Sequence, residues 1–458
     1  LGCTAEAMED LSASVESIAK DVGFASVKVT TTEDETGKGP ARFRRIVSGT
    51  LDPATRYCVD SIETKQTTSR PQAPFITSSL QMTASSYLGF PTDRTMRVAQ
   101  QLYEGVEVPG EGRVGLITYM RTDSTHLSRE AVADARGFID RTYGEGYLPT
   151  SPNAYTSKNA DAQEAHEAIR PTLVGRTPEM LRGSLDEAQW KLYDLIWRRF
   201  TACQMTNAQW DSTAFRFKRS DQDTGAILRA TGRVLVFDGF MKASGIPTAT
   251  DEQTLPKLDE GHDTAPFSIE PTQKFSSPPP RYNEGSLVKK LEEEGIGRPS
   301  TYASIIKVIQ ARNYVEQLER RFHATDLGEV VTEKLIEGFP RLMDVGYTRD
   351  MEAKLDKVED EHIDWRQMLA EFYERFSTSL ARAYEEMTHA KAEMDPAPYA
   401  CPECGARTAY RFGRNGRFLT CGKYPDCDYA APIDREGRPL LPEQADIKCP
   451  EDGSQMIM

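Results

Sequence analysis

The alternation of apolar and polar positions divides the chain into β-patterned and helical regions. Residues 25–31 (ASVKVTT) and 42–48 (RFRRIVS) are rich in β-branched side chains and alternate in part, which predicts strands after a short helical start. The same pattern returns at 212–217, 226–230 and 233–237, separated by Gly, Asp and Ser turns. Because the two β-patterned regions flank a helical one, we expect them to form a single domain.

The region between the two β-patterned stretches has mainly helical periodicity. A linker with two prolines within four residues, 69–74 (SRPQAP), precedes a helical start near Thr77. Asp93 is the expected N-cap of the next helix, and Ser128 starts the one after it. The strongest helix, 185–200, carries an aromatic stripe typical of core packing. We therefore expect a helical lobe carried on two linkers, an arrangement that can hinge.

Helical periodicity resumes near residue 280. An amphipathic helix is predicted by four apolar residues at helical spacing, Tyr302, Ile305, Ile306 and Ile309. Pro299 and Ser300 suit its start, so backbone donors and the hydroxyls of Ser300 and Thr301 would converge there, as they do in phosphate sites at helix N-termini. Arg298 beside this turn strengthens the phosphate interpretation, although the same residues also suit an ordinary capped helix.

Composition and charge add few constraints. The 458 residues carry a net charge of −14, which argues against a protein coated in basic charge but does not exclude a basic groove for nucleic acid. The length predicts about three or four domains. No run of eighteen apolar residues occurs, so no membrane span is expected. The chain starts LGCT, without an initiator Met or a signal segment, which predicts a fragment of a longer protein.

Residues 115–125 (GLITYMRTDST) change abruptly from an apolar run to a dense polar cluster. In an extended segment, Tyr119, Arg121 and Asp123 lie on one side. A phenol nucleophile, a guanidinium clamp and an orienting carboxylate suit phosphate chemistry. The alternative interpretation is that Tyr119 is one of 18 tyrosines and packs at a strand end.

A second polar cluster, 164–171 (EAHEAIRP), falls in the same expected lobe. His166 stands there with Glu167 and Arg170. Since a histidine is cationic or neutral near physiological pH, His166 suits proton transfer or phosphate binding. The alternative is a hydrogen-bonded structural histidine.

Five of the eight cysteines crowd into the last sixty residues. Four of them have the paired spacing of a four-thiolate zinc site: Cys401, Cys404, Cys421 and Cys427. A redox pair at Cys401 and Cys404 is the alternative, but it leaves the other two cysteines unexplained. Cys449 opens a similar motif in which Asp452 replaces the second thiol, so no zinc is expected there.

The segment between the two cysteine pairs predicts a hairpin with an Asn-Gly turn. In this hairpin, cationic side chains are interleaved with aromatic ones. That pattern suits single-stranded nucleic acid, through phosphate contacts and base stacking. The candidate contact residues are Arg411, Phe412 and Arg417.

Four motifs together carry a family resemblance. They are PFITSSLQ at 74–81, ITYMRTDST at 117–125, AHEAIRPT at 165–172 and GIGRPSTYAS at 295–304. In this order, over about residues 25–435, they resemble the type IA DNA topoisomerases, and in particular the bacterial DNA topoisomerase I branch.

The resemblance implies that Tyr119 attacks a backbone phosphodiester of single-stranded DNA and forms a 5′-phosphotyrosine. Another strand passes through the gap, the free 3′-hydroxyl reseals it, and negative supercoils relax without ATP. Arg121 and His166 would stabilise the scissile phosphate, and Asp123 matches a carboxylate of the motif. Three further positions match family residues near the bound strand: Arg298, Ser300 and Thr301.

The resemblance also implies an N-terminal TOPRIM domain whose acidic cluster binds Mg²⁺. No Asp-x-Asp-x-Glu run follows an apolar strand: residues 33–35 (EDE) fall in a turn-like segment and 359–361 (EDE) in a helical one. We therefore expect the chain to lack the magnesium half of the site. Its expected partners are the missing TOPRIM domain of the same protein and single-stranded or negatively supercoiled DNA, and we expect a monomer in the bacterial cytoplasm.

Two other functions are alternatives to this one. A catalytically silent module that only binds single-stranded DNA is the main alternative. A tyrosine recombinase is disfavoured, because the sequence does not show separate Arg and His motifs spread around a C-terminal tyrosine.

The expected fold class is multi-domain α+β. It combines a β-rich arch domain, an inserted helical lobe carrying the tyrosine, a helical DNA-binding domain and a C-terminal zinc ribbon that holds Zn²⁺. The expected boundaries are 1–79 and 207–245 for the arch, 80–206 for the lobe, 246–395 for the helical domain, 396–435 for the ribbon, and 436–458 for a linker and incomplete second ribbon.

Overall fold

The structure is a computed structural model that describes residues 12–33, 43–155, 166–245, 253–266, 268–269, 278–360, 364–387, 394–413, 416–434, 437–440, 444–448 and 455–457. Some positions singled out in the sequence lie outside these residues: Asp34, Glu35, Glu164, Asn415, Cys449 and Asp452.

Strands and helices occur in separate blocks along the chain. Up to residue 245 the elements are α1 (Ser12–Asp21), β1 (Phe24–Glu33), β2 (Phe43–Leu51), β3 (Tyr57–Ser69), α2 (Thr77–Thr83), α3 (Thr92–Glu104), β4 (Val106–Val108), β5 (Gly112–Val114), α4 (Arg129–Tyr143), α5 (Glu187–Cys203), β6 (Ala208–Arg219), β7 (Ile227–Phe237) and α6 (Met241–Ser244). A π-helical turn, Ala84–Leu88, continues α2.

The second part of the chain is helical and then β-rich. Its elements are β8 (Asp263–Thr264), α7 (Glu284–Glu293), α8 (Tyr302–Ala311), β9 (Val315–Leu318), β10 (Arg321–Ala324), α9 (Asp326–Gly338), α10 (Val345–Asp360), α11 (Trp365–Glu386), β11 (Asp395–Ala400), β12 (Arg407–Gly413), β13 (Gly416–Cys421), β14 (Ala430–Pro432), β15 (Gln444–Lys448) and β16 (Gln455–Ile457).

A four-stranded antiparallel sheet, in the order β7-β6-β3-β8, joins the two β-patterned regions. Strands β3 and β6 pair from Tyr57 opposite Arg219 to Ser69 opposite Ala208. Since β3 ends where the helical region begins and β6 starts where it ends, all the intervening elements are inserted between two neighbouring strands. The strands predicted at 25–31 and 42–48 pair as β1 and β2.

The two strands predicted at 226–230 and 233–237 are one continuous strand. Thr231 and Gly232, which the sequence suggested as a turn, keep their pairing with Ala214 and Thr213 of β6. A long partner strand thus overrides the local turn signal of glycine.

The inserted lobe has a core of its own, built from α2, α3, α5 and the tyrosine segment. The aromatic stripe predicted on α5 is confirmed as core packing, since Tyr193, Trp197 and Phe200 are all buried. Further buried members of the main cluster are Phe75, Leu80, Ala99, Leu102, Leu116, Ile117, Met120, Ile169, Leu192 and Ile196.

The two predicted N-caps in the lobe have different outcomes. Ser128 is the N-cap of α4, where its Oγ accepts a hydrogen bond from the Ala131 N–H at 3.2 Å. Asp93 is not a cap: α3 starts at Thr92 after Pro91. The Asp93 carboxylate pairs instead with Arg97 at 2.8 Å.

The helical region beyond residue 280 has a smaller core, formed by Val288, Tyr302, Ile306 and Phe322. The amphipathic helix predicted from residue 302 is α8, and Tyr302 and Ile306 are its buried residues. Farther along, β11 to β14 form a four-stranded antiparallel sheet. Its central hairpin pairs Gly413 with Gly416, and Asn415 of the predicted Asn-Gly turn lies outside the described residues.

The fold class expected from the sequence is confirmed. A β-rich sheet carries an inserted helical lobe, a second helical region follows, and a small β-sheet brings the clustered cysteines together. Among the described helices, none is both long and apolar enough to cross a membrane.

Candidate active site

The tyrosine segment is an extended loop with alternating burial. From Met120 to Ser124, every second side chain is buried. Tyr119, just before this stretch, and Asp123 within it are half-buried, and Arg121 is exposed. The three polar side chains of the motif therefore share one side of the loop, which is the side that faces away from the core.

The segment that carries His166 runs beside this loop and is hydrogen-bonded to it. The Thr118 N–H donates to the Arg170 carbonyl at 2.9 Å, and Thr118 Oγ1 donates to the Ala168 carbonyl at 2.7 Å. These bonds fix the two backbones relative to each other. As a result the rings of Tyr119 and His166 lie with their centroids 5.9 Å apart.

The start of α2 holds the loop from another direction. Thr77 Oγ1 donates to the Met120 carbonyl at 2.7 Å and accepts from the Thr122 N–H at 2.9 Å. The Thr77 N–H also donates to the Thr122 carbonyl at 2.9 Å. All three residues are buried, so the backbone on both sides of Arg121 is anchored in the core.

Tyr119 has a second aromatic neighbour at the end of α3. The Tyr103 ring meets it edge-on with a centroid separation of 5.3 Å. Tyr103 and His166 together restrict the Tyr119 ring, while its half-buried position leaves the phenol within reach of solvent.

The ion pair between Glu167 and Arg170, beside His166, is largely shielded from solvent. Arg170 Nε donates to Glu167 at 2.6 Å, and Arg170 Nη1 donates to the Pro171 carbonyl at 3.0 Å. Burial raises the pKa of the Glu167 carboxyl, but hydrogen bonds from Arg170 and Ser128 outweigh it, so the net pKa is lowered. Arg170 is thus held by Glu167, whereas the exposed guanidinium of the site is that of Arg121.

The structure places Arg298 differently from the expected phosphate site. Its guanidinium lies against α10, 2.6 Å from Asp356 and 3.9 Å from Glu352. Helix α8 begins at Tyr302, not at Ser300 as predicted. The reason is that the Thr301 hydroxyl accepts from the Arg298 N–H at 2.8 Å and so closes a turn ahead of the helix.

The beginning of α8 nevertheless lies close to the tyrosine loop. Burial raises the pKa of Tyr302 to about 12; Glu292 also raises it, Arg298 lowers it, and Asp123 raises it. Because Asp123 belongs to the tyrosine motif and Arg298 to the glycine-rich motif, the two motifs converge around Tyr302.

A cleft of about 570 Å³ opens where the loop continues past Asp123. It is lined by the start of α4 and by residues 152–155. Among its described lining residues, two are arginines, Arg129 and Arg136, and none is acidic. This part of the lobe therefore offers positive charge at the end of the tyrosine motif, where Thr125 lines the cleft.

The cysteine cluster has the geometry of a tetrahedral metal site. The four Sγ atoms of Cys401, Cys404, Cys421 and Cys427 lie within 4.8 Å of one another. The Cys401–Cys427 pair is separated by 3.7 Å and the Cys404–Cys421 pair by 3.4 Å. A tetrahedron with Zn–S bonds of about 2.3 Å has S–S edges of about 3.8 Å. The residues present therefore fit zinc.

The thiols of the cluster differ in pKa: backbone hydrogen bonds lower the pKa of Cys421 and Cys427, but desolvation and the neighbouring thiols raise both on balance, whereas the pKa of Cys404 is lowered. A hydrogen bond from the Ala406 backbone, followed by one from the Cys421 thiol, lowers the pKa of Cys404 to about 7. A lowered pKa favours the thiolate, which is the form that binds a metal. Within the described residues, no other group of three or more His, Cys, Asp or Glu side chains is arranged to hold a metal.

The candidate DNA contacts of the ribbon are divided between its two faces. Phe412 lies directly opposite Arg417 in the β12–β13 hairpin, so their side chains share a face. Arg417 also lies over the Tyr410 ring at 4.7 Å and pairs with Asp395 at 2.7 Å. Arg411 points to the other face, because neighbouring side chains of a strand alternate.

Comparisons with known proteins agree with this combination of an inserted tyrosine lobe and a cysteine ribbon. A family model described as DNA topoisomerase matches residues 22–370, and a model described as topoisomerase DNA binding C4 zinc finger matches residues 399–436. The chain belongs to the DNA topoisomerase family.

Two particular relatives define the similarity further. DNA topoisomerase 1 of Haemophilus influenzae is 45% identical over 374 residues, which cover 80% of this chain and 41% of that protein. The solved structure of full-length topoisomerase I from Thermotoga maritima superposes with a TM-score of 0.71 at 30% identity, covering 97% of this chain and 75% of that one. The chain thus spans about two fifths of the length of the first relative.

Several residues that shape the site escaped the sequence interpretation. Thr77 and Thr118 lie within the motifs at 74–81 and 117–125, but they hold the loop through backbone carbonyls far away along the chain, so the sequence does not show this role. Tyr103 belongs to the apolar stripe of α3, which by itself indicates only core packing. Its position at the C-terminal end of that helix, just before a short hairpin that leads to Tyr119, is the one signal that could have found it.

Proposed function

We propose that this chain is the body of a type IA DNA topoisomerase that cleaves one DNA strand through Tyr119. The observation that carries the proposal is the tyrosine loop, which is held by hydrogen bonds and places Tyr119 beside His166 with Arg121 exposed on the same side. Membership of the DNA topoisomerase family supports it. The proposed product of the complete enzyme is negatively supercoiled DNA relaxed without ATP.

In the proposed cleavage step, the Tyr119 oxygen attacks a backbone phosphorus. The Tyr119 O–P bond forms as the phenol gives up its proton, the bond from phosphorus to the 3′ oxygen breaks, and the leaving oxygen takes up a proton as a 3′-hydroxyl. Rejoining is the reverse reaction, so no external energy source is consumed. Both steps exchange one phosphodiester for another. The energy of the broken DNA bond is therefore retained in the phosphotyrosine while a second strand passes.

Each neighbouring side chain has a proposed part in that step. Arg121 neutralises charge that develops on the phosphate oxygens, since an exposed guanidinium can bind two of them. His166 binds the same phosphate or transfers a proton. Asp123 orients these groups, and the basic cleft with Arg129 and Arg136 guides the strand past the tyrosine.

Two further regions have proposed roles in DNA binding. Ser300, Thr301 and Arg298 lie near the strand, although the carboxylates of α10 already hold Arg298. The ribbon, stabilised by Zn²⁺ on its four cysteines, contacts single-stranded DNA through Phe412, Arg417 and Arg411. Zinc would hold the ribbon folded and take no part in the cleavage.

We also propose that the isolated 458-residue chain binds single-stranded DNA but cleaves it poorly. The observation behind this second candidate, a silent binding fragment, is that the described residues hold no acidic cluster suited to Mg²⁺. In the complete enzyme, a TOPRIM domain would supply those carboxylates.

One experiment separates the two candidates. The purified chain is incubated with an end-labelled single-stranded oligonucleotide and Mg²⁺, with and without the acidic domain of a relative added in trans. The expected result is a mobility shift in both samples and a covalent adduct only with the added domain. Relaxation of a negatively supercoiled plasmid by the chain alone would refute the proposal that cleavage needs a separate acidic domain. Absence of any shift would refute the DNA-binding proposal.

A further inference from the structure

Helix α7 reaches from the second helical region into the tyrosine lobe. Its own N-terminus is satisfied by Asn283, whose side chain accepts from the Ser286 N–H at 2.7 Å. The carboxylate of Glu284, the first residue of α7, is therefore not needed by its own helix. Glu284 is only 6% exposed, so this charge is buried against the lobe.

The partner of Glu284 is the first residue of α3. Glu284 Oε2 accepts from the Thr92 N–H at 2.6 Å and from Thr92 Oγ1 at 2.9 Å. Pro91, the N-cap of α3, makes no side-chain cap hydrogen bond. Glu284 thus caps a helix of the lobe from outside it, where the helix dipole favours a negative charge.

A second carboxylate of α7 also accepts a hydrogen bond from the lobe. Glu292 Oε1 accepts from Ser78 Oγ at 2.8 Å, and Ser78 lies in the first turn of α2. Between the two contacts, α7 packs directly on α2: a Cβ added at Gly285 would lie 3.2 Å from Met82 Cα. Glycine at this position permits the close approach that brings both carboxylates to the lobe.

Both helices that α7 contacts lead to the tyrosine loop. Helix α2 holds the loop through Thr77, the neighbour of Ser78. Helix α3 runs about 16 Å, at 1.5 Å per residue, from Thr92 to Tyr103, whose ring packs on Tyr119. The contacts of α7 therefore lie next to the loop-holding Thr77 on α2, and on α3 at the end of the helix opposite Tyr103.

We propose that Glu284 is a positioning residue which, together with Glu292, forms a clasp that holds the tyrosine lobe closed on the helical region. This inference rests on the proposed function, because a strand can pass only if the lobe moves away. The clasp suits such a motion. It consists of hydrogen bonds from the hydroxyls of Thr92 and Ser78 and from the Thr92 N–H, and water can replace all three when the lobe opens.

The test measures opening of the full chain without DNA. Dyes are attached through click-reactive residues introduced at Met180 in the lobe and Tyr373 on α11, both largely exposed, and single-molecule energy transfer gives the open fraction. Glu284→Gln is expected to raise the open-to-closed ratio roughly three- to tenfold, the usual effect of losing a helix cap. Hydrogen exchange of peptides that contain Thr92 should accelerate by a similar factor.

Matched variants show whether the effect belongs to the clasp. Glu293→Gln makes the same chemical change on the exposed side of α7 and should leave the open fraction unchanged. Thr92→Val removes one donor, should raise the open fraction less than Glu284→Gln, and should add nothing once Glu284 is replaced. Since Thr92→Val keeps Glu284, it also serves as the informative variant if Glu284→Gln does not fold.

The outcomes separate this proposal from the proposed function. If Glu284→Gln and Thr92→Val open no more than Glu293→Gln while the unsubstituted chain still forms a tyrosine adduct, the clasp is wrong and the function stands. If the variants open as expected but no adduct forms with the acidic domain present, the clasp exists and the proposed function is wrong.

Discussion

Hydrogen bonds of its neighbours hold the backbone on both sides of Tyr119 in place. Met120 and Thr122 are anchored through Thr77, and Thr118 is anchored through the His166 segment. The backbone that carries the Tyr119 side chain is thereby fixed, which is the kind of preorganisation that a weak nucleophile such as a phenol requires. The sequence could predict the alternation of the motif but not the anchors, because hydrogen bonds to distant carbonyls leave no local pattern.

The Glu167–Arg170 pair gives a testable pH dependence. The pKa of Glu167 is lowered in the folded protein from its ordinary value of 4.5, so its stabilisation is present above that pH and is lost as the pH falls through the folded pKa. Glu167→Gln is expected to reduce the free energy of unfolding at pH 7 by about 1 kcal/mol. Denaturant unfolding followed by tryptophan fluorescence, repeated from pH 7 to pH 3, measures the difference.

A matched control for this prediction is Glu187→Gln. Glu187 pairs with Lys191 on the surface of α5, and its side chain is 81% exposed. Solvent screens that pair, so the substitution should leave the denaturation midpoint unchanged. A Glu167→Gln difference that persists at pH 3 would contradict the assigned ion pair.

Among the elements, tertiary contacts account for the errors of the sequence interpretation. Asp93 has the chemistry of an N-cap, but the cap of α3 is supplied by Glu284 from another part of the chain. Likewise, Gly232 has the chemistry of a turn, yet pairing with β6 keeps β7 continuous. In both cases the local signal was real, and a long-range partner determined the outcome.

The zinc ribbon is the element whose prediction depends least on the rest of the chain. The spacing of its cysteines predicted the cluster, and the segment between the two pairs predicted the hairpin. A small four-stranded sheet with few apolar residues needs the metal for stability. We therefore expect zinc removal to unfold the ribbon and leave the lobe intact.

Zinc content and thiol reactivity test that expectation. The chain should carry one zinc, and Cys404→Ser should lose it, exposing the remaining ribbon thiols to a thiol reagent at least about tenfold faster. Cys58→Ser, a change at a half-buried thiol in β3, is the control and should retain the metal. Full zinc content in Cys404→Ser would show that the four cysteines do not form the site.

At the scale of the whole molecule, the insertion of the lobe between β3 and β6 is the central feature. The return of β patterning after a helical region predicted this insertion, because strands separated along the chain can pair only if the intervening residues leave the sheet. The contact of the lobe with α7 could not be predicted, since Glu284 and Glu292 resemble any other surface glutamates of a helix. A close approach at Gly285 and two distant hydroxyls give them their role.

The assignment of Tyr119 as nucleophile is tested most directly by mapping the covalent bond to DNA. The chain, supplied with an acidic domain in trans, is incubated with labelled single-stranded DNA and denatured, and the DNA-linked peptide is identified by mass spectrometry. The expected adduct lies on Tyr119, falls at least about a thousandfold in Tyr119→Phe, and remains within tenfold of the unsubstituted level in Tyr103→Phe. An adduct that persists in Tyr119→Phe, or that maps to another residue, would contradict the proposed mechanism.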